Sequence, residues 1–340
     1  MPLIYHGGTE VTEKQSQFAN QKPRIAGMDG VLIIDKPAGM TSHDVVARVR
    51  RVAGQRRVGH TGTLDPFATG VLVVLVGRAT RLAQFLSGAE KEYEAVIRLG
   101  YATDTGDITG VRTEFHAKAQ RTQSFRKEEI ESALASLRGE IEQTPPMYSA
   151  KKVGGQKLYE LARRGEEIER KPVRVNVSAF EALAHDGALL TPNDDGSHDL
   201  KVRVVCSAGT YIRTLAEDFG KQLGVGAHVA DLRRTRAGQF KIADAITLDR
   251  LDEEAQSGSL AEDFISPDAA LSFLPAWQVE VEAARRVSQG IDLRVEGEND
   301  SPWPNGQPLR LRNPDGQLIA VGIYDRERRT IHPQVVIANT

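Results

Sequence analysis

In the stretch RVGHTGTLDPFATGVLVVLVG, residues 57–77, a single carboxylate stands in a loop of small and turn-forming residues, and an unbroken apolar run follows it. That carboxylate, Asp65, is short and stiff. Held against a buried strand, it suits acid–base or nucleophilic work at a pocket floor. Gly59, Gly62 and Gly70 allow backbone conformations or close approaches that a Cβ forbids. Pro66 fixes its own φ and biases Asp65 away from helix toward extended backbone. Asp-Pro is equally a common turn pair, so spacing alone leaves a structural reading open beside the catalytic one.

The second chemical feature is CSAGTYIRTLAEDFGKQLG. Ile212, Leu215, Ala216, Phe219 and Leu223 recur at helical spacing, with Gly209 and Thr210 at the start. Arg213 then falls in the first turn, off the apolar stripe, where a cation opposes the helix dipole at a cost of a few tenths of a kcal/mol or more. It either reaches solvent or pairs with Glu217 at i+4, or it answers an anion elsewhere in the fold. Asp65 is the candidate anion, and such a pair would keep the carboxylate ionised and fix its rotamer. Tyr93, in the alternating run KEYEAVIRLG, reads as a core residue or a site residue with equal ease.

Other chemistries lack their motifs. There is no G-x-x-x-x-G-K-[ST], and LGVGAHVA lacks the third glycine of a dinucleotide fingerprint. The eight histidines are scattered without metal-ligand spacing, and no G-x-S-x-G elbow occurs. TSHD (residues 41–44) packs its residues too closely for a triad and reads as a helix cap. Any chemistry is expected to be free of metal and cofactor.

The elements that must position these residues follow from periodicity. A strand at 31–34 gives way at Pro37 and Gly39 to a helix capped by Thr41, with Val45, Val46, Val49, Val52 and Ala53 as its stripe. A short helix in TRLAQFLSG, the strand KEYEAVIRLG and the turn-rich loop YATDTGDITG come next. A helix is expected at 127–138 and strands at 173–180 and 201–207, with an acidic, solvent-facing hairpin connection between them. Residues 147–174 mix proline, glycine and many charges, as an excursion from the core would. Short strands at 277–281, 308–312, 318–324 and 334–337, with a helix at 282–289, suggest a small β-rich module. The fold class is therefore α+β (mixed α/β).

With 340 residues the chain has room for two domains at roughly 100–200 residues each. The expected division is a polar tail at 1–26, a catalytic domain at 27–252, a linker at 253–269 and a C-terminal domain at 270–340. The longest strong apolar run, 71–76, is far below the ~20 residues that span a bilayer, and the N-terminus lacks a signal-peptide pattern, so a cytoplasmic protein is expected. One cysteine, Cys206, makes no disulfide within the chain. Net charge is only −2, yet basic residues cluster. Five arginines (48, 50, 51, 56, 57) lie between Asp44 and Asp65 with no acid, 147–174 holds eight Lys/Arg against four Glu, and LRRTRAGQFK adds a third cluster. Each alone reads as a solvated face, while together they suggest a surface for a polyanion.

The strings GHTGTLDPFATGVL, DKPAGMTSHDVV, KEYEAVIRLGYATDTGD, PPMYSAKKVGGQKLYELAR, GTYIRTLAEDFG and LRRTRAGQF, collinear over about 30–248, resemble the TruB family of tRNA pseudouridine synthases. The resemblance implies the pseudouridine synthase catalytic fold with a central mixed, mainly antiparallel sheet, followed by a small β-rich PUA-like RNA-binding domain. It implies isomerisation of uridine 55 in the T-loop of tRNA, with no cofactor, by base flipping. Asp65 matches the essential aspartate, acting at C1′ as nucleophile or as base in a glycal route. Arg213 matches its partner, and Tyr93 the tyrosine that stacks on the base. Tyr211 and Leu232 match residues lining the uracil pocket, His60 the histidine that fills the space left by flipped bases, and Lys36 and Pro37 a structural motif beneath the site. Residues 147–174 correspond to the insertion that clamps the T-loop in stand-alone enzymes. The implied partner is the tRNA T-arm, without guide RNA or membrane, and the implied state is a monomer.

Overall fold

The computed structural model describes residues 27–113, 125–149, 151–162, 164–166, 168–184, 188–295 and 303–337. The tail expected at 1–26 lies outside the described residues. In chain order the strands are β1 (Gly30–Lys36), β2 (Val58–His60), β3 (Thr69–Val76), β4 (Lys91–Leu99), β5 (Gly139–Gln143), β6 (Lys152–Val153), β7 (Gln156–Lys157), β8 (Val173–Ala182), β9 (Leu190–Pro192), β10 (His198–Cys206), β11 (Ala227–Ala237) and β12 (Phe240–Lys241). They are followed by β13 (Ala276–Gln278), β14 (Leu293–Arg294), β15 (Pro308–Arg312), β16 (Leu318–Asp325) and β17 (Thr330–Val336). Among the described residues ten strands make one sheet with the path β1-β3-β11-β4-β10-β8-β5, to which β2, β9 and β12 attach. Its pairings are antiparallel except that of β3 with β11, so the mixed, mainly antiparallel sheet is observed.

The apolar run of β3 has no alternation because the strand is covered on both faces. Val71, Val73 and Leu75 pack with Val31 and Ile33 of β1, with Val321 and Val335 of β16 and β17, and with Ile337 just beyond β17. Leu72, Val74 and Val76 face the helices Ser42–Ala53 and Leu248–Ser257 through Val45, Val49 and Leu251. Such a strand needs an apolar residue at every position, and each contributes about 1.5–3 kcal/mol on burial. The helix Ser42–Ala53 starts in a capping box in which Thr41 accepts from the Asp44 N–H and Asp44 accepts from the Thr41 N–H, and Gly54 ends it at φ 61°. TSHD is therefore a cap.

β4 behaves differently. Lys91, Tyr93, Ala95, Ile97 and Leu99 alternate inward. Behind them lie the helices Lys127–Ser136 and Ile212–Gln222, which contribute Ile130, Leu134, Leu215 and Phe219. This period-2 pattern gives one rank of side chains that runs from the core into the site.

Three segments depart from the sequence reading. Residues 253–269, read as a linker, hold the end of the helix Leu248–Ser257, a 3₁₀ turn Leu260–Asp263 and the start of the short helix Pro267–Ala270. Ile265 bonds Val31 in both directions at 2.9 Å, and Ala270, Leu271 and Leu274 join the core beneath β1 and β3. Their polar neighbours form the outer face of a packed segment. The acidic connection before β10 contains β9, which pairs with β10, and Asp199 binds Arg98 at 2.8 Å across the β10/β4 ladder. Part of it, 185–187, lies outside the described residues. In the C-terminal sheet, ordered β13-β15-β16-β17-β14, β17 begins before Pro333 rather than after it. Pro333 sits opposite Gly322 at a register irregularity, where a missing N–H is tolerated.

Candidate active site

The loop carrying Asp65 is pinned on both sides of that residue. Lys36, fully buried at the end of β1, donates from Nζ to the carbonyls of Pro37 (2.8 Å), Met40 (2.7 Å) and Pro66 (3.3 Å). The Pro66 carbonyl also accepts from the Gly39 N–H at 2.8 Å. On the other side, Ser42 Oγ accepts from the Leu64 N–H (2.9 Å) and donates to the Leu64 carbonyl (3.2 Å). All three ammonium hydrogens of Lys36 are used, and burial pushes its pKa down to about 8 against the pull of Asp65. Of the three glycines singled out in sequence, Gly70 alone is obligatory. Its φ is +100° and a Cβ there would lie 2.2 Å from the Arg234 carbonyl oxygen, whereas Gly62 meets ordinary contacts and Gly59 none.

Arg213, in the first turn of the helix Ile212–Gln222, keeps only 4% of its side chain exposed. Its Nε lies 2.9 Å from Asp65 Oδ2 in an ion pair and its Nη2 donates to Oδ1 at 3.3 Å, so both carboxylate oxygens are engaged. Nη1 donates to the Thr105 carbonyl (2.8 Å) and Nη2 also to the Tyr148 carbonyl (2.6 Å). Asp65, rather than Glu217, is therefore its partner, and two carbonyls complete the fork.

A second carboxylate that sequence reasoning missed stands behind the guanidinium. Asp107 Oδ2 lies 3.7 Å from Arg213 Nη1. Its Oδ1 accepts from Thr105 Oγ1 (2.9 Å), the Thr109 N–H (3.0 Å) and Thr109 Oγ1 (2.6 Å). Burial in the cleft pushes the Asp65 carboxyl above the ordinary aspartate value. Arg213 opposes this most strongly, the like charge of Asp107 adds to it, and Lys36 opposes it more weakly.

The Asp65/Arg213 pair lies where two clefts meet. The smaller, about 290 Å³, is walled by Tyr93, Tyr211, Ile212 and Leu232, with Lys91 and Arg234 also in its lining. The larger, about 650 Å³, runs past His43, Phe67, Thr109 and Tyr148. Ser149 lines both, and its buried hydroxyl has no hydrogen-bond partner among the described residues. A third cavity, about 780 Å³, touches Thr105 and Tyr148 but neither Asp65 nor Arg213.

The structure thus gathers Asp65, Arg213, Tyr93, Tyr211 and Leu232 around one space. Burial raises the Tyr93 phenol above its ordinary value, with the Arg234 guanidinium opposing from beside it. Tyr211 is fixed through its backbone, whose N–H donates to Gln143 Oε1 (2.8 Å) and whose carbonyl accepts from Gln143 Nε2 (3.1 Å). His60 stands outside this wall, at the end of β2. Its Nδ1 accepts from the Gly62 N–H (3.2 Å), and its ring meets that of His43 edge-on at 5.7 Å. Burial lowers its pKa, so the neutral ring is favoured. Lys36 and Pro37 lie beneath the loop. Lys91 carries a signal that the sequence offers, since it shares the inward rank of Tyr93 two residues on.

The basic clusters divide on inspection. Arg233 pairs with Asp35 (2.7 Å), Arg236 with Glu90 (2.8 Å) and Glu92 (3.2 Å), and Arg234 is buried. These three hold strands together instead of facing solvent as a phosphate surface would. Arg48 pairs with Asp252, and Arg50 donates to the Arg56 and Val58 carbonyls, leaving Arg51, Arg56 and Arg57 with exposed guanidinium-bearing side chains.

Comparison with known proteins adds three findings. The family model described as TruB family pseudouridylate synthase (N terminal domain) matches residues 50–212, and that of the tRNA pseudouridylate synthase B C-terminal domain matches 213–271. The chain is 46% identical over 298 residues to tRNA pseudouridine synthase B of Geobacillus thermodenitrificans, covering 86% of this chain and 91% of that protein. It is 44% identical over 313 residues to the protein of the same name from Thermobifida fusca, covering 92% and 99%. Among solved structures, an H/ACA RNP bound to a substrate RNA containing 2′-deoxyuridine superposes with a TM-score of 0.66 at 26% identity, covering 93% of this chain and 86% of that one. A Cbf5-Nop10-Gar1 complex gives 0.65 at 28%, covering 92% and 84%.

Proposed function

Because the chain belongs to the TruB family of pseudouridylate synthases, we propose that it isomerises uridine 55 in the T-loop of tRNA to pseudouridine, as a monomeric, cytoplasmic, stand-alone enzyme. One observation carries this reading. A carboxylate held on both oxygens by a buried arginine stands at the mouth of a cleft sized and walled for a pyrimidine. The reaction breaks the C1′–N1 bond and joins C1′ to C5. Asp65 acts beside the sugar, as nucleophile at C1′ or as base toward C2′, and both routes need it ionised. The net change is an isomerisation, so electrons balance without a redox partner.

The uracil enters the smaller cleft between Tyr93, Tyr211 and Leu232, and the RNA strand follows the larger one past Phe67 and His43. Extruding the nucleotide costs a few kcal/mol, which stacking on aromatic faces offsets. His60, neutral and edge-on to His43, offers a ring for the space the base leaves. The hairpin β6/β7 lies in the segment assigned to the T-loop clamp, turning through Gly154 and Gly155 at φ 59° and 84°. The division into a catalytic domain at 27–252, a connection at 253–269 and a PUA-like RNA-binding module at 270–340 belongs to the same reading. Relatives at 43–46% identity carry the name tRNA pseudouridine synthase B, against 26–28% for the H/ACA RNP and the Cbf5-Nop10-Gar1 complex, which favours action without guide RNA. Among the described residues no helix is long and apolar enough to cross a membrane.

The test is a T-arm or full tRNA transcript incubated with purified protein and no added cofactor. Pseudouridine is expected at the T-loop uridine. In Asp65→Asn the single-turnover rate should fall by about 10⁴-fold or more, with tRNA affinity changed only a few-fold. An Asn variant that turns over at the parent rate removes Asp65 from the chemistry.

A further inference from the structure

Lys91 and Arg234 are 7% and 2% exposed, and both line the smaller cleft. Neither has a carboxylate partner among the described residues. Lys91 Nζ donates to the carbonyls of Ser87 (2.6 Å) and Ala89 (2.5 Å), and Arg234 donates from Nε to Val71 O (2.7 Å) and from Nη2 to Gly62 O (3.0 Å). One Lys91 hydrogen and further Arg234 donors are not used by these carbonyls, and Arg234 also lies at hydrogen-bonding distance from the Tyr93 hydroxyl. Buried charges are ordinarily paired, because desolvating an ion without a counter-ion is costly. Two neighbouring buried cations with no carboxylate partner among the described residues, in a cavity open to a ligand, call for an anion that the protein itself does not supply. The walls between them and Asp65, formed by Tyr93, Ile212 and Leu232, are aromatic and aliphatic. They suit a flat ring better than a phosphate.

We propose that Lys91 and Arg234 form an anion seat that takes up the negative charge of the uracil ring when its bond to the sugar breaks. This rests on the proposed uridine isomerisation. On either route the C1′–N1 electron pair leaves with N1 and spreads over O2 and O4. With Asp65 as nucleophile, an Oδ–C1′ bond forms as C1′–N1 breaks. With Asp65 as base, it takes the C2′ proton and a C1′–C2′ double bond forms. Both leave a uracil monoanion in the cleft, so the seat does not depend on which route operates. The ring then turns while held by ammonium and guanidinium and presents C5 to C1′. As the C1′–C5 bond forms, the Oδ–C1′ bond breaks and its pair returns to Asp65, or on the base route Asp65 gives its proton back to C2′ as the C1′–C2′ double bond closes. The C5 proton is then lost and N1 regains one. Donors preorganised for a charge that develops only in the reaction contribute to rate more than to ground-state binding.

Barbiturate, a pyrimidine ring that is anionic at neutral pH, is the probe. Calorimetry on the full chain should show it binding at least about ten-fold more tightly than neutral uracil or inorganic phosphate, with that preference lost in Lys91→Met. Single-turnover pseudouridine formation should fall by about 100-fold in Lys91→Met with tRNA affinity within about two-fold, and Lys91→Arg should recover most of the loss. The parent protein gives a reading that needs no variant. Burial and the facing Arg234 push Lys91 down to about 8, while burial pushes Cys206 up to about 11 and raises Tyr93, so barbiturate binding should weaken as pH rises through about 8. Lys36 titrates in the same range but spends its donors on the loop beneath Asp65, and the limb should move to higher pH in Lys91→Arg. Equal affinity for barbiturate, uracil and phosphate, or a Lys91→Met enzyme that isomerises at the parent rate, overturns the seat. A parent protein that makes no pseudouridine overturns the proposed function instead, and the barbiturate measurement is independent of that result.

Discussion

Two cationic centres border the same cleft and are treated in opposite ways. Arg213 is surrounded by acceptors, with both oxygens of Asp65, the carboxylate of Asp107 and two backbone carbonyls. Lys91 and Arg234 meet neutral groups, backbone carbonyls and, at Arg234, the Tyr93 hydroxyl. At the first centre the protein completes its own electrostatics, and the outcome is a carboxylate with a fixed rotamer. At the second it leaves positive charge uncompensated. Preorganised polarity works in both senses, by fixing a reactive group and by waiting for charge that appears only during reaction.

The contrast can be broken at Arg213 first. Arg213→Lys keeps the charge but loses the planar fork, so one Asp65 oxygen and a carbonyl are released. A loss of about 10²–10³-fold in single-turnover rate is expected. The acid limb of the pH–rate profile gives the sharper reading. On the proposed reading activity needs ionised Asp65, so rate should rise with pH through its pKa, and burial already places that above the ordinary value. Arg213 is the main influence pulling it down, so Arg213→Lys should move the limb to higher pH. Asp107→Asn, with a smaller loss of about ten-fold, should move it the other way, because the like charge of Asp107 is one of the causes that raise Asp65. Two limbs that shift in the same direction would show that Asp107 acts on position alone. The smallest effect is expected away from both centres. Replacing Arg51, Arg56 and Arg57 together by Gln should weaken tRNA binding several-fold and flatten its salt dependence by about one to three phosphate contacts, with barbiturate binding untouched.

Much of this frame is legible in the chain before any coordinates. The unalternating run of β3 announces a strand covered twice, the Thr41 and Asp44 pair announces a cap, and Arg213 in a first turn raises the choice among solvent, Glu217 and a distant anion that the fold resolves. What stays hidden is what depends on distant segments meeting. Asp107 lies in a threonine-rich loop, and nothing local says that its carboxylate reaches a helix beginning at Ile212. Tyr148 contributes a carbonyl, which has no residue signature at all. Lys91 is visible by alternation, yet a lysine at an inward position is usually set aside because burying it is costly. Arg234 is masked by its neighbours Arg233 and Arg236, since such a run looks like surface charge until strand pairing turns one of them inward.

The packing of β3 in one core cluster with residues 321–337 has a further consequence. Val321, Val335 and Ile337 close the face of the strand that leads away from Asp65. During synthesis β3 is made well before these three residues of its cover. Until they arrive, the cluster around Val71, Val73 and Leu75 is completed only in part by earlier residues such as Leu82, Phe240 and Leu271, a condition that exposes a nascent chain to aggregation. Maturation of the site is thereby timed to the arrival of residues about 260 positions downstream, the separation of Leu75 from Ile337.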